Sequence, residues 1–345
     1  MVSPRKPEKF KGTFWGLTTF FNPAGYKNKV DNFRLFRKAS KRQGLSLVVV
    51  ELAFDAVPFS LSGEDAEVLI QLRGSSENIL WQKEALLNIA LKHLPVDCDK
   101  VAWLDCDIIF QNEEWVKETA LRLEEYVVVQ PYADVVRLPY NFHYPANSRI
   151  LFNDSLGGGN SQGIVCASFG SQDNELKSFS LQGEAGFAWC IRRDALDKFA
   201  FYDRMILGGA DDFIAYAFFH NINSFSKENF LIPSYHKSYF PWFEKVNSCV
   251  GGSVGYIDGR ILHLWHGELG RRRYVERHSL LKTHHFDSEV DIKKDPQGIW
   301  SWSSEKSNLH HDVKEYFKAR KEEAAAFSFW GWCSGVYSRC IESFR

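Results

Sequence analysis

Apolar and polar positions follow two alternating periods through the first 130 residues, and the switches between them predict an order of elements. Residues 13–21 are rich in β-formers and run into Asn22-Pro23-Ala24-Gly25, a strand followed by a turn. Val30, Phe33, Phe36 and Ala39 then recur at helical spacing as far as Gln43, and Gly44 supplies the stop. Residues 45–54 are a nearly unbroken apolar run, as in a strand buried on both faces of a parallel sheet. Strand, helix and strand in succession make a βαβ unit, whose crossover is right-handed and whose ligands gather at the carboxyl ends of the strands.

Residues 54–74 predict an irregular connection with a short strand at 68–72, and residues 78–94 an amphipathic helix closed by Pro95. Gln82, Lys83 and Asn88 form a polar face on that helix, directed at the ligand edge of the sheet. A strand at 100–110, a helix at 113–125 and a strand at 126–131 complete an α/β half. The pattern then loosens. The Gly/Asn/Ser-rich stretch 153–163 reads as a substrate lid or an inert surface loop, and it lacks phosphate-loop spacing. Later come a strand at 183–193, a helix at 194–199, and Gly208-Gly209-Ala210-Asp211-Asp212 opening a helix at 213–219. A strand from Arg260 carries His263, His266 and the basic run Arg271 to Arg273, followed by a charged helix at 312–323 and an aromatic end at 327–339.

Composition narrows the class. With 45% hydrophobic and 25% charged residues the chain matches an ordinary globular protein, and a net charge of -1 supplies no attraction for nucleic acid. Its 7 cysteines are odd in number and contain no Cys-x-x-Cys pair, which points to reduced thiols rather than a disulfide framework or zinc site. The basic start has no apolar core of a signal peptide, and no run reaches the roughly 18–20 apolar residues of a membrane helix. The expected location is cytoplasmic. The aromatic C-terminus is expected to pack on the core, with peripheral membrane contact as the alternative. An aromatic content of 15% serves core filling first and sugar stacking second.

The candidate chemistry centres on Asp105-Cys106-Asp107, the one charged interruption in an apolar run. In an extended strand residues i and i+2 share a face, and two carboxylates on one buried face require a cation. The bland alternative is a strand end whose Asp residues cap a turn. The Gly208-Gly209 pair permits close backbone approach, which suits a pocket edge.

Together these motifs resemble the GT-A glycosyltransferases, and within them the β-1,4-galactosyltransferase and chondroitin-synthase-like group. Trp81-Gln-Lys-Glu-Ala-Leu-Leu-Asn88 stands where that group carries Phe-Asn-Arg-Ala-Lys-Leu-Leu-Asn. Gly208-Gly-Ala-Asp211-Asp212 stands for its Gly-Gly-Glu-Asp-Asp, and His263 and His266 for its late metal-binding histidine. The resemblance implies an α/β GT-A fold, Rossmann-like with a mixed central sheet, over residues 12–275. Its donor half is 12–131, its acceptor and catalytic half 132–275, and a helical, aromatic extension fills 276–345.

It further implies a metal-dependent hexosyltransferase with Mn²⁺ or Mg²⁺. A nucleotide-sugar, a UDP-sugar by the resemblance, is the donor, and a glycan or glycoconjugate hydroxyl is the acceptor. Asp107 is the expected direct ligand, Asp105 a ligand through water or a ribose contact, and His266 the third ligand. His263 comes second because i and i+3 on a strand face opposite ways. Thr18, Thr19, Phe20, Glu51, Lys83 and Arg271 are expected around the donor, with Trp189 stacking on a sugar. Asp211 is expected as general base of an inverting reaction, with Asp212 capping the helix. Ala210 replaces an acidic residue of the group, and the Trp before its Gly-Gly is missing, which leaves the acceptor open. The rival readings are a retaining enzyme on the same metal site and a non-catalytic carbohydrate-binding protein. A metal-dependent phosphohydrolase ranks third, since its carboxylate and His clusters are missing.

Overall fold

The computed structural model describes residues 10–140, 160–170, 183–220, 232–273 and 276–323. Strand β1 (Thr13–Phe21), helix α1 (Lys27–Arg42), β2 (Ser46–Phe54), β3 (Val68–Gly74), α2 (Lys83–Leu91) and β4 (Cys98–Leu104) follow the alternation in the sequence. Then come β5 (Ile108–Phe110), α3 (Trp115–Glu125), β6 (Val128–Gln130), β7 (Asp134–Arg137), β8 (Asn160–Gln162) and α4 (Ile164–Gly170). They are followed by β9 (Ala188–Arg192), α5 (Arg193–Phe199), α6 (Ala210–Phe218), α7 (Pro233–Val250), β10 (Val254–Tyr256) and β11 (Arg260–His263). The last elements are α8 (Glu276–Thr283), the hairpin β12 (Ile292–Lys294) and β13 (Trp300–Trp302), and α9 (Ser307–Ala319).

The central sheet has seven strands in the order β10-β6-β9-β4-β1-β2-β3. Its β9 pairs antiparallel with both neighbours while the other pairings are parallel, so this is an α/β fold with a mixed sheet. The chain winds from β1 to β2 and β3 on one side, then returns to place β4 on the other. That reversal makes the carboxyl ends of β1 and β4 a topological switch point, the usual ligand position in open α/β sheets. Both faces are covered. Val48 and Val50 of β2 look into one core, and Leu47 and Val49 into the other, as period-two alternation requires. A second sheet, β5-β11-β7-β8, stands beside the first.

Several expectations change at this level. The strand foreseen at 100–110 is two strands in two sheets, broken by a turn at Asp105-Cys106-Asp107. The shared-face argument for the two carboxylates therefore fails, because neither lies in an extended strand. The helix foreseen from 78 starts at Lys83, after a 3₁₀ turn capped by Ser75. Its polar face is partly spent on structure. Asn78 and Gln82 donate to the Trp300 carbonyl at 3.1 and 2.7 Å, and Asn88 donates to the Phe201 carbonyl at 3.0 Å, so of Gln82, Lys83 and Asn88 only Lys83 turns to the ligand edge. Helix α7 has no clean signature in sequence, because Pro241 sits inside it and removes one ladder donor. It forms nonetheless, since Tyr235, Tyr239, Trp242, Phe243 and Val246 bury along one stripe.

The described residues 276–323 pack into the same body as the rest. Leu281, Phe286, Trp300, Trp302, Leu309, Val313 and Phe317 join the same core as α2 and β1. The Gly/Asn/Ser stretch lies outside the described residues from 153 to 159, as does the aromatic end at 327–339. No described helix is long and apolar enough to cross a membrane.

Candidate active site and metal centre

The Asp105-Cys106-Asp107 turn sits where the chain leaves the central sheet for the second one, and it is held from both sides. The Asp105 amide donates to the Phe187 carbonyl at 2.8 Å, just ahead of β9, and the Leu264 amide donates to the Asp107 carbonyl at 2.8 Å, just past β11. Phe187 adopts φ 73°, a left-handed backbone that a bulky residue takes only under constraint from its surroundings. Its ring meets His263 edge-on at 5.0 Å.

On one side of the turn three potential ligands converge. Ligand atoms of Asp107, His263 and His266 lie within 4.8 Å of one another, and both histidines are buried. His266 Nε2 is 3.1 Å from Asp107 Oδ2, and His263 Nε2 is 3.9 Å from Oδ1. The two Nε2 atoms are 2.9 Å apart. His263, ranked second from strand parity, converges with His266 because β11 ends at His263 and the chain turns before His266. Burial lowers the His263 pKa well below the usual value, reinforced by His266 and Arg272, so its imidazole is neutral and able to ligate.

The arrangement fits a divalent cation. Asp107 Oδ1 is buried without a hydrogen-bond partner, a costly state that a cation would relieve. Two imidazole nitrogens and a carboxylate also suit a borderline metal such as Mn²⁺. Arg272 Nη2 lies 2.8 Å from His266 Nε2, so a cation ligated by that nitrogen would have to displace the guanidinium from its lone pair. Arg271, the residue expected here, is instead exposed, because consecutive residues of the short 3₁₀ turn at Leu269–Arg272 point about 120° apart.

On the other side of the turn, Lys83 Nζ bridges Asp105 Oδ1 at 2.7 Å and Asp211 Oδ1 at 3.0 Å. Burial alone would lower the Lys83 amine, but Asp105, Asp211 and Glu84 together hold it well above its usual value. Burial pushes Asp105 up to about 6, with Lys83 opposing and Asp211 and Asp107 adding to the rise. The same effect, burial first, drives Glu84 up to about 8 and leaves it a neutral acid near pH 7. Cys106 between the two Asp residues is no nucleophile, since burial and then Asp107 raise its thiol far above the usual range.

Asp211 and Asp212 separate in role. Helix α6 begins at Ala210, three residues earlier than foreseen, after Gly209 in the left-handed region at φ 97°. Neither carboxylate caps it through a side-chain bond at the Ncap; both lie in its first turn, where the helix dipole favours them. Asp211 faces Lys83 and the site, whereas Asp212 is exposed. The Gly208-Gly209 approach serves an internal partner. A Cβ on Gly209 would stand 2.6 Å from Arg277 Nη2, and one on Gly208 would touch Trp81 and Arg277 at 3.2 Å.

The remaining expected contacts are structural. Trp189, at 1% exposure, donates to the Ala185 carbonyl and stacks near Trp103 at 6.4 Å, so no face is open to a sugar. Phe20 is core, packed on Phe33. Thr18 donates to the Leu104 carbonyl at 2.8 Å, tying β1 to the end of β4, and Thr19 is buried beside it. Glu51 accepts from the Ser60 amide at 2.5 Å and from Gln71 at 2.9 Å, bracing the loop at Ser60.

Sequence reasoning missed Glu322. It lies 3.6 Å from His266 Nδ1, and Arg320 and Lys29 contact it at 2.6 and 3.3 Å. Burial would raise its carboxyl, but Lys29, His266 and Arg320 keep it well below the usual range. No motif marks it, since 56 positions separate it from His266.

No family model matches the chain, and comparison with curated proteins finds no match. Among solved structures it is similar to a variant of Drosophila β1,4-galactosyltransferase 7 in complex with manganese, UDP-Gal and xylobiose. That match has 11% identity, covers 86% of this chain and 97% of that one, and has a TM-score of 0.37. It is also similar to S. aureus TarS 1–349 with UDP-GlcNAc, at 13% identity over 79% of this chain and 66% of that one, TM-score 0.36. A third is glucosyl-3-phosphoglycerate synthase from Mycobacterium tuberculosis with Mn²⁺, UDP and phosphoglyceric acid, at 14% identity over 85% and 87%, TM-score 0.37. The chain spans 63% of the Drosophila catalytic domain solved with xylobiose and 64% of TarS 1–349. With TM-scores this low, none of these likenesses assigns a residue or an activity.

Proposed function

We propose that the chain is a metal-dependent glycosyltransferase of GT-A architecture, moving a sugar from a UDP-sugar to a glycan hydroxyl with inversion. One observation carries the reading. Asp107, His263 and His266 converge beside the Asp105–Lys83–Asp211 ion triad, at the switch point where β4 ends. The motifs Trp81 to Asn88, Asp105 to Asp107 and Gly208 to Asp212 support it through their order along the chain.

In this reading Asp107, His263 and His266 hold the cation. A bound divalent cation supplies neutralisation of the charge that develops on the departing diphosphate. Asp105 lines the donor side and Asp211 the acceptor side, and Lys83 fixes the distance between them. Lys83 keeps Asp211 Oδ1 occupied, which leaves Oδ2 to accept the proton of the attacking hydroxyl. A Cβ at Gly186 would stand in contact with that oxygen at 3.6 Å, so the glycine leaves this approach to Oδ2 free of a side chain. General-base assistance of this kind is worth about 10²- to 10⁴-fold.

The test is a panel of UDP-, GDP- and CMP-sugars with Mn²⁺, read by thermal stabilisation and by release of nucleotide. A UDP-sugar at about 100 times its Kd should stabilise the protein by about 2.7 kcal/mol, a rise of several degrees in Tm. Asp107→Asn should abolish both signals. If no nucleotide stabilises the protein in the presence of metal, the transferase reading falls. Product NMR distinguishes inversion from retention.

A further inference from the structure

His266 is gripped at both ring nitrogens. On one side Arg272 Nη2 lies 2.8 Å from Nε2, and a guanidinium can only donate. Nε2 also faces Asp107 Oδ2 at 3.1 Å, and a cation shared between that nitrogen and that oxygen needs Nε2 unprotonated, which puts the ring proton on Nδ1. On that other side Nδ1 is buried without a hydrogen bond, and Glu322 Oε1 stands 3.6 Å away. Glu322 is itself 2% exposed and fixed by Arg320 Nε at 2.6 Å and Lys29 Nζ at 3.3 Å. The backbones also lock together, because a Cβ on Gly267 would come within 3.0 Å of Glu322 Cα.

We infer that Glu322, brought in by the segment after α9, is a positioning residue for the candidate metal centre. Facing Nδ1 from 3.6 Å, its carboxylate favours the ring proton on that nitrogen and so leaves the Nε2 lone pair to the cation. Carboxylates in this place behind a ligating imidazole orient the ring and raise its basicity. The inference rests on the proposed metal site, and it adds that the cation's affinity depends on a residue far along the chain that touches neither cation nor sugar. It also gives residues 320–322 a task at the site that their sequence does not advertise.

The experiment measures Mn²⁺ binding to the full chain by electron paramagnetic resonance, in the wild type and in Glu322→Gln. The dissociation constant should rise about 10-fold or more in the variant. In parallel, ¹H–¹⁵N correlation of the metal-free wild type should report His266 protonated on Nδ1. An equal affinity in a wild type that binds Mn²⁺ and a folded Glu322→Gln overturns the inference and leaves the metal site standing. Failure of the wild type to bind Mn²⁺ overturns the metal site and the inference with it. Should Glu322→Gln fail to fold, the wild-type tautomer decides, and a proton on Nε2 overturns the inference.

Discussion

Glu84 and Lys83 are neighbours on α2 with opposite fates. The lysine keeps its charge because two carboxylates face it, whereas the glutamic acid loses its own to burial. The folded-state pKa of Glu84, about 8, lies above the ordinary value of 4.5, so the folded protein binds the extra proton. The stability this group contributes is full below about pH 4.5 and is lost as pH rises through 8. Glu84→Gln, which cannot ionise, should therefore gain on the wild type across that window by a few kcal/mol, about 1.4 kcal/mol per pKa unit at most. Urea denaturation at pH 5, 7 and 9 checks it. Constant parity between the two proteins would show Glu84 to be charged in the fold. Such behaviour was not legible in the sequence, where no motif marks Glu84 as buried. By contrast Asp107, Asp211 and His266 were legible as candidates, Asp107 from its apolar context and the other two from the motif resemblance, and their roles are those proposed above. Glu322 was not, since its meaning comes from the fold alone.

Among elements, those with strong period and clean stops, β1, α1 and β2, were predictable to within a few residues. Those whose boundary depends on a distant partner were not. The start of α2 is set by Asn78 and Gln82 reaching Trp300, more than 200 residues away, and α7 forms across a proline because its aromatic stripe finds a core. The start of α6 belongs to the same class. Gly209 there combines φ 97° with a guanidinium wall, so Gly209→Ala meets both backbone strain and a 2.6 Å clash with Arg277. The expected cost is about 1–3 kcal/mol, visible as a lowered Tm. Arg277→Ala introduced with it should return the steric part but not the backbone part. A Gly209→Ala protein of unchanged Tm would mean that α6 starts differently.

For the whole molecule, the important property is that residues 276–323 are built into the first fold rather than appended to it. Trp300 is clasped by α2, Phe317 shares the core with β1, and Arg320 lies over Trp81 at 5.3 Å. Thermal unfolding followed by tryptophan fluorescence and by far-UV circular dichroism should accordingly give one coincident transition. An earlier, separate melting of the C-terminal third would show that the shared core does not bind the two parts into one cooperative unit.

The Asp105-Cys106-Asp107 turn has one further consequence. Its first carboxylate ends a strand of the seven-stranded sheet, and its second leads into a strand of the four-stranded sheet, opposite His263. Under the proposed function, a donor lined by Asp105 and joined to the cation at Asp107 would straddle the seam between two sheets and work as a rivet. Shearing one sheet against the other would then prise that grip open, and a seated donor would stiffen the seam.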